Sequence, residues 1–167
     1  HGDYSPLVFY PNSAEEAYHF TIKAFNCAEK AEMPVVILSD AFLASLYETV
    51  EIKHEAQIAK RKKAPLGKAS RHITGLAHQK NSPKPQNPKE YKSFIDRIYK
   101  KTHVIAKENP DYEFYGNKSS DTLIVCYGCV SRFLSDLKKD YAFFRPIRIW
   151  PFLKKELGTI AKHYARV

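Results

Sequence analysis

The chain is poor in the residues that mark several function classes. Three cysteines in 167 residues do not make a disulfide scaffold, so a reducing, cytoplasmic setting is expected. The six glycines form neither a P-loop nor a G-x-G-x-x-G pattern, the two best-defined phosphate-cradling loops; Gly2 and Gly128 stand alone. No apolar run approaches the roughly 20 residues that span a bilayer. The seven histidines are scattered, and none forms an H-x-x-x-H pair on a predicted helix. His72 and His78 sit in an irregular stretch and read as hydrogen-bonded loop residues rather than metal ligands. Asp3, Glu15, Glu16 and Asp40 each have a capping or loop explanation. The sequence therefore contains no self-sufficient catalytic constellation.

What is present is a core and an uneven charge. The 44% hydrophobic content suffices for a buried interior. The net charge is +9. Residues 53–108 hold 15 Lys/Arg against 4 Asp/Glu, and the rest of the chain holds 12 against 14. All the surplus positive charge lies in the middle third. The sequence opens on His1-Gly2-Asp3 with no Met or basic-then-apolar leader. It stops at Arg166-Val167, directly after a predicted helix. An internal piece of a longer protein is expected.

The first quarter reads as strand, helix, strand, helix. Residues 6–10 form an apolar strand, and Pro11-Asn12 a turn. Ser13 with Glu16 three residues on is a capping box. Ala17, Phe20, Ala24, Cys27 and Ala28 then recur at helical spacing until Pro34 stops the helix. Pro34-Val35-Val36-Ile37-Leu38-Ser39 is apolar throughout, as in a strand covered on both faces. Asp40 is placed to cap a helix over 41–47. Such a βαβ crossover implies parallel strands.

Regular signals fade after residue 49. Lys60-Arg61-Lys62-Lys63 is a charge run, and Ser82-Pro83-Lys84-Pro85-Gln86-Asn87-Pro88 must be extended or turned. A helix is predicted over 89–108, with Tyr91, Phe94, Ile95, Ile98 and Tyr99 on one side. A polar stretch to Asp121 leads into a second unit: strand 122–126, helix 129–139, strand 143–150, helix 153–164. Pro146 has no N–H to give a ladder, so the segment carrying it is expected to begin irregularly or to run along an edge. The expected fold class is α/β, with two parallel-sheet βαβ units joined by a long basic linker. The expected division is 1–52, 53–118 and 119–167.

Two constellations offer competing functions. Cys126-Tyr127-Gly128-Cys129 places a C-x-x-C at a strand-to-helix junction, where redox dithiols sit. Cys126 follows the strand pattern, however, so its thiol is expected to be buried. The basic linker, with Tyr91, Phe94 and Tyr99, could contact nucleic acid, yet the aromatics have core-like spacing and no nucleic-acid signature accompanies them.

Three stretches together resemble one family. Ser13-Ala14-Glu15-Glu16-Ala17 followed by the 34–44 stretch is similar to the later half of a thiamine-pyrimidine-binding domain. Arg71-His72-Ile73-Thr74-Gly75-Leu76-Ala77-His78 resembles that family's linker motif. Tyr127-Gly128 and Arg145-Pro146-Ile147-Arg148-Ile149-Trp150-Pro151-Phe152 resemble the start of its transketolase-C-terminal-like domain. The family is the alpha subunit of 2-oxoacid:ferredoxin oxidoreductases, nearest the 2-oxoglutarate type.

The resemblance implies a thiamine-diphosphate-dependent enzyme that makes acyl-CoA and CO2 from a 2-oxoacid and CoA, with electrons passing to ferredoxin or a similar acceptor. It implies that the diphosphate and magnesium belong mainly to a beta subunit. Iron–sulfur clusters would lie in partner subunits, with small ferredoxin-like and gamma subunits as further partners. It places His1, Gly2, Asp3 and Tyr4 in a loop near the active site, and Arg71, His72, Thr74 and Gly75 in the linker motif. No residue here is expected to be catalytic, to ligate metal or to bind the cofactor by itself. The family's pyrimidine-facing glutamate and substrate-reading arginine would precede His1. Alone, the polypeptide is expected to be inactive, with exposed sheet edges. The family commonly has small residues at the positions of Cys126 and Cys129.

Overall fold

The computed structural model describes residues 5–52, 57–60, 78–79, 82–83 and 88–167. Strand β1 (Leu7–Phe9), helix α1 (Ala14–Ala31), strand β2 (Val35–Ile37) and helix α2 (Ala41–Ser45) follow the order read from the sequence. β1 and β2 pair in parallel, Leu7 opposite Val35. Ser13 caps α1 by accepting the Glu16 N–H at 3.1 Å. The return bond lands one residue earlier than a capping box requires, because Glu16 Oε2 accepts from Asn12 N. Glu32 ends the helix in the left-handed region, one residue before Met33 and Pro34 lead into β2. α2 stops at Ser45 rather than residue 47.

Strands β3 (His78–Gln79) and β4 (Ser82–Pro83) form a small antiparallel pair. Helix α3 (Pro88–Glu108) packs by its second half. Ile105 and Ala106 join Leu7, Phe9, Ala24, Cys27 and Ala31 in one core, and Thr102 is buried beside them. The aromatic side chosen from periodicity is only half-buried or exposed, so the burial of α3 is shifted toward its C-terminus.

The second unit contains a strand that the sequence reading missed, β5 (Tyr112–Gly116). It runs antiparallel to β7 (Ala142–Pro146), whose other side pairs in parallel with β6 (Leu123–Val125). The expected helix over 129–139 is two pieces, α4 (Gly128–Phe133) and a 3-10 helix (Leu134–Lys139). The expected strand over 143–150 is also two pieces. β7 ends at Pro146, and β8 (Arg148–Trp150) crosses over to pair antiparallel with β1. β7 is the central strand of its sheet, not an edge. It tolerates Pro146 because pairing with β6 ends at Phe144, so the missing N–H falls beyond that ladder. Ile147 forms the joint: its carbonyl accepts from Tyr10 N and its N–H binds the Asp111 carbonyl.

The chain is thus α/β with the two expected parallel pairs. Each sheet also carries an antiparallel strand, with orders β2-β1-β8 and β5-β7-β6. The apolar β2 run is not covered on both sides among the described residues, since Val36 and Leu38 are exposed.

Helix α5 (Lys154–Ala161) lays Leu157 and Ile160 on the second core, around Leu123, Ala142, Phe144 and Leu153. Gly158 sits inside α5, and a methyl group there would meet nothing within 4 Å. Gly158→Ala is therefore expected to stabilise the protein by about 0.5–1 kcal/mol through helix propensity and a less flexible unfolded chain. Thermal unfolding checks this; a lower Tm contradicts it.

Candidate functional site at the junction of the two sheets

In α/β folds ligands gather at the carboxyl ends of parallel strands. Here the ends of β1, β2 and β6 converge. β1 delivers Tyr10 and Asn12, β2 delivers Asp40, and β6 delivers Tyr127, Gly128 and Cys129. Asp40 is the acceptor that binds them together. Its Oδ1 takes the Leu43 N–H at 2.8 Å and so caps α2. Its Oδ2 takes the Tyr10 hydroxyl at 3.1 Å and the Cys129 N–H at 3.2 Å. The Tyr10 and Tyr127 rings pack at 5.7 Å.

Three further links cross the junction. Asn12 Nδ2 donates to Ser131 Oγ at 2.8 Å. Arg132 forks onto both oxygens of Glu48, at 3.2 and 2.9 Å, and also donates to the Asn12 carbonyl. Arg145, only 1% exposed, forks onto Glu16 and reaches Glu113 Oε2 at 2.8 Å through Nε. Beside these links lies an open cleft of about 710 Å³, lined by Phe42, Glu113, Tyr115, Arg132, Phe133 and Lys138 among others.

The electrostatics describe a structural junction. The N–H of Leu43 holds the Asp40 carboxyl below its ordinary value against the opposing effect of burial, with help from Cys129 and Tyr10. The Arg132 fork does the same for Glu48. Burial raises Tyr10, and Asp40 adds to the rise. Burial opposes the charge on Arg145, yet its hydrogen bonds to Glu16 and Glu113 outweigh that and keep it protonated.

The low Asp40 value fixes a pH dependence. A carboxyl depressed in the folded state stabilises above its unfolded value, and the benefit fades as pH falls through the folded one. Asp40→Ala should cost about 1–2 kcal/mol at neutral pH. That difference should narrow in acid titrations below about pH 4; a constant difference across pH contradicts the assignment.

The dithiol reading finds no support in this geometry. Cys126 is buried, and burial raises its thiol against a lowering by Arg145. Cys129 is raised by burial and then by Asp40. A redox dithiol needs a lowered attacking thiol. Alkylation of both by iodoacetamide at neutral pH should be slower than that of a free thiol, and a fast reaction would contradict this.

The sequence-predicted site residues His1, Gly2, Asp3 and Tyr4, and Arg71, His72, Thr74 and Gly75, lie outside the described residues. The chain just after the first group is well anchored. Trp150 Nε1 donates to Ser5 Oγ at 2.5 Å, and the Thr102 hydroxyl donates to the Ser5 carbonyl at 2.7 Å. Sequence reasoning saw Asp40 and Glu16 only as caps and missed Arg132, Glu48, Asn12, Ser131 and Glu113. Partners such as Glu16 and Arg145 are 129 residues apart, so no local pattern could have joined them.

Among the described residues no three His, Cys, Asp or Glu side chains assemble a cation site. The carboxylates at the junction, Glu16, Asp40, Glu48 and Glu113, are already engaged. The described residues therefore do not fit the metal–diphosphate end of a thiamine cofactor. No described helix is long and apolar enough to cross a membrane.

Comparisons with known proteins match this fold. The family model described as pyruvate flavodoxin/ferredoxin oxidoreductase, thiamine diphosphate-binding, covers residues 2–113. The 2-oxoglutarate synthase subunit KorA of Methanocaldococcus jannaschii is 29% identical over 91% of this chain and 49% of its own length. KorA of Methanothermobacter marburgensis is 26% identical over 97% and 51%. The ketoisovalerate oxidoreductase subunit VorB of the same organism is 26% identical over 97% and 47%. The chain spans about half the length of the curated relatives it matches. In structure it is similar to a 2-oxoglutarate:ferredoxin oxidoreductase from Magnetococcus marinus, solved with 2-oxoglutarate, coenzyme A and succinyl-CoA bound. The TM-score is 0.72 at 18% identity, covering 99% of this chain and 34% of that one.

Proposed function

Because the chain belongs to the pyruvate flavodoxin/ferredoxin oxidoreductase family, in its thiamine-diphosphate-binding part, we propose that it forms part of the alpha subunit of a cytoplasmic 2-oxoglutarate oxidoreductase. The reaction is the CoA-dependent oxidative decarboxylation of the 2-oxoacid to acyl-CoA and CO2, with electrons leaving to ferredoxin or a similar carrier. The observation that carries this is the similarity to two KorA subunits over 91% and 97% of this chain. Both relatives are subunits of a 2-oxoglutarate synthase, which supports a hetero-oligomer.

Thiamine diphosphate supplies the electron sink for decarboxylation, and protein groups bind and orient it. Magnesium and the diphosphate are held by a beta subunit, and the iron–sulfur clusters lie in partner subunits. The residues of this chain fall into the pyrimidine-side half-domain (1–52), the basic linker (53–118), whose α3 and β5 pack on the first and second cores, and the start of a transketolase-C-terminal-like domain (119–167). The loop of His1, Gly2, Asp3 and Tyr4 borders the active site, and Arg71, His72, Thr74 and Gly75 carry the linker motif. The described junction residues keep the two α/β units in one orientation.

The test is reconstitution. The purified polypeptide alone should not reduce a viologen with 2-oxoglutarate and CoA, whereas the anaerobic complex containing it should. Turnover by the isolated polypeptide contradicts the proposal.

A further inference from the structure

The proposed function leaves one surface without a role. α1 and α3 lie side by side, and a groove of about 280 Å³ opens between them. Its floor is apolar, formed by Ala31, Val104 and Ile105, and its rim is four cations: Lys30, Arg97, Lys100 and Lys101. Among the described residues two rim charges have only long pairings, Lys30 with Glu108 and Lys101 with Glu32, each at 3.5 Å between half-exposed side chains. Such pairs contribute little and exchange readily. Arg97 lies 5.6 Å over the Phe94 ring. Lys100 forms no ion pair among the described residues. Val104 stays 49% exposed and Tyr99 37%. Along the same helix Lys89, Lys92, Lys100 and Lys107 fall on the outer face over about 27 Å, and Asp96, between Lys92 and Lys100, is bound by Lys92 at 2.6 Å.

We infer that this groove docks an acidic protein partner through a segment that presents one apolar side chain flanked by carboxylates. The apolar floor is small enough to take a single side chain. Lys30 and Lys101 would exchange their weak pairings for the partner's carboxylates, Arg97 and Lys100 would add two more charges, and the lysine stems would extend the apolar contact. Charge complementarity carries the choice of partner, because residues 53–108 hold the entire positive surplus of the chain while the remainder is slightly acidic. Electrostatic matching of this kind chiefly raises association rate and selectivity. A nucleic acid fits less well. Stacking needs exposed aromatic faces, and no aromatic side chain is among the described residues that line the groove, Phe94 being half-buried beneath Arg97. The inference does not depend on the redox activity.

The test uses the full chain with a random glutamate–tyrosine copolymer as probe, and polyglutamate and duplex DNA as comparisons, across a salt series. Salt-sensitive binding of the copolymer, tighter than that of polyglutamate, is expected. Arg97→Glu with Lys100→Glu should weaken it at least about tenfold, and Val104→Ser should erase the preference over polyglutamate. Lys162→Glu, a single charge reversal on an exposed residue of another surface, should leave binding intact. Three results overturn the inference: no binding of the copolymer, equal loss in the Lys162 variant, or tighter binding of DNA through Arg97 and Lys100.

Discussion

Replacing Glu16 by Ala is expected to destabilise the protein by about 3–5 kcal/mol, the range for leaving a buried charge without its partner. The reason is the asymmetry around Arg145. Its guanidinium is 1% exposed and is held by Glu16, 22% exposed, and by Glu113, 50% exposed. Removing Glu16 strips the fork from a charge that water cannot reach. It also orphans the Asn12 N–H, which Glu16 Oε2 accepts at 2.9 Å. Removing Glu113 leaves the fork in place and takes away a solvated partner, so Glu113→Ala should cost about 1 kcal/mol. Glu16→Gln separates the two contributions of Glu16. It keeps an acceptor for Asn12 but gives up the charge facing Arg145, and it should fall between the two alanine variants. Urea unfolding midpoints decide the matter. Equal costs for Glu16→Ala and Glu113→Ala would show that Arg145 is not the buried centre of the junction.

The second large effect is expected at Gly116, where Gly116→Ala should cost about 2–5 kcal/mol. Gly116 ends β5 at φ +86, a region that residues with a Cβ reach at a cost of about 1–2 kcal/mol. An added Cβ would also strike the carbonyl oxygen of Tyr141 and press on the Lys138 carbonyl and the Phe143 ring, each at 3.2 Å. Backbone oxygens cannot swing aside. The Tyr141 carbonyl is further fixed by the Asn117 N–H at 2.9 Å. Gly128 offers an internal comparison. It lies at φ +58, and its added Cβ would meet the Tyr10 ring at 2.7 Å. That ring can rotate away, at the expense of its bond to Asp40. Gly128→Ala should therefore cost less, and adding Tyr10→Ala should remove the collision part of that cost. If Gly116→Ala unfolded at the same temperature as the parent, the tight packing of the β5–β7 corner would be refuted.

The parts legible from sequence were those specified locally. Ser13, Pro34 and Asp40 mark the limits of α1, β2 and α2, and the 3.6-residue apolar stripe placed Ala24 and Cys27 inward. Cys126 was expected to be buried and is. β5 escaped because Tyr112-Glu113-Phe114-Tyr115 is a short alternation inside a polar stretch. Pro146 implies an irregular start or an edge strand from sequence alone, whereas it is the end of the central strand β7. Nothing in the residues that follow says that β8 joins the first sheet, because that choice depends on Val8 and Phe9 as partners. The junction was illegible for the same reason. Its ion pairs and hydrogen bonds link residues brought together only by the packed sheets, and each member taken alone reads as a cap or a surface charge.

The measurement that tests the central reading most directly is substrate-dependent viologen reduction by the anaerobically purified complex containing this chain. CoA-dependent reduction with 2-oxoglutarate and little with pyruvate is the predicted result. A preference for pyruvate would overturn the substrate assignment, and no reduction with either 2-oxoacid by an intact, cluster-containing complex would contradict the enzyme reading itself.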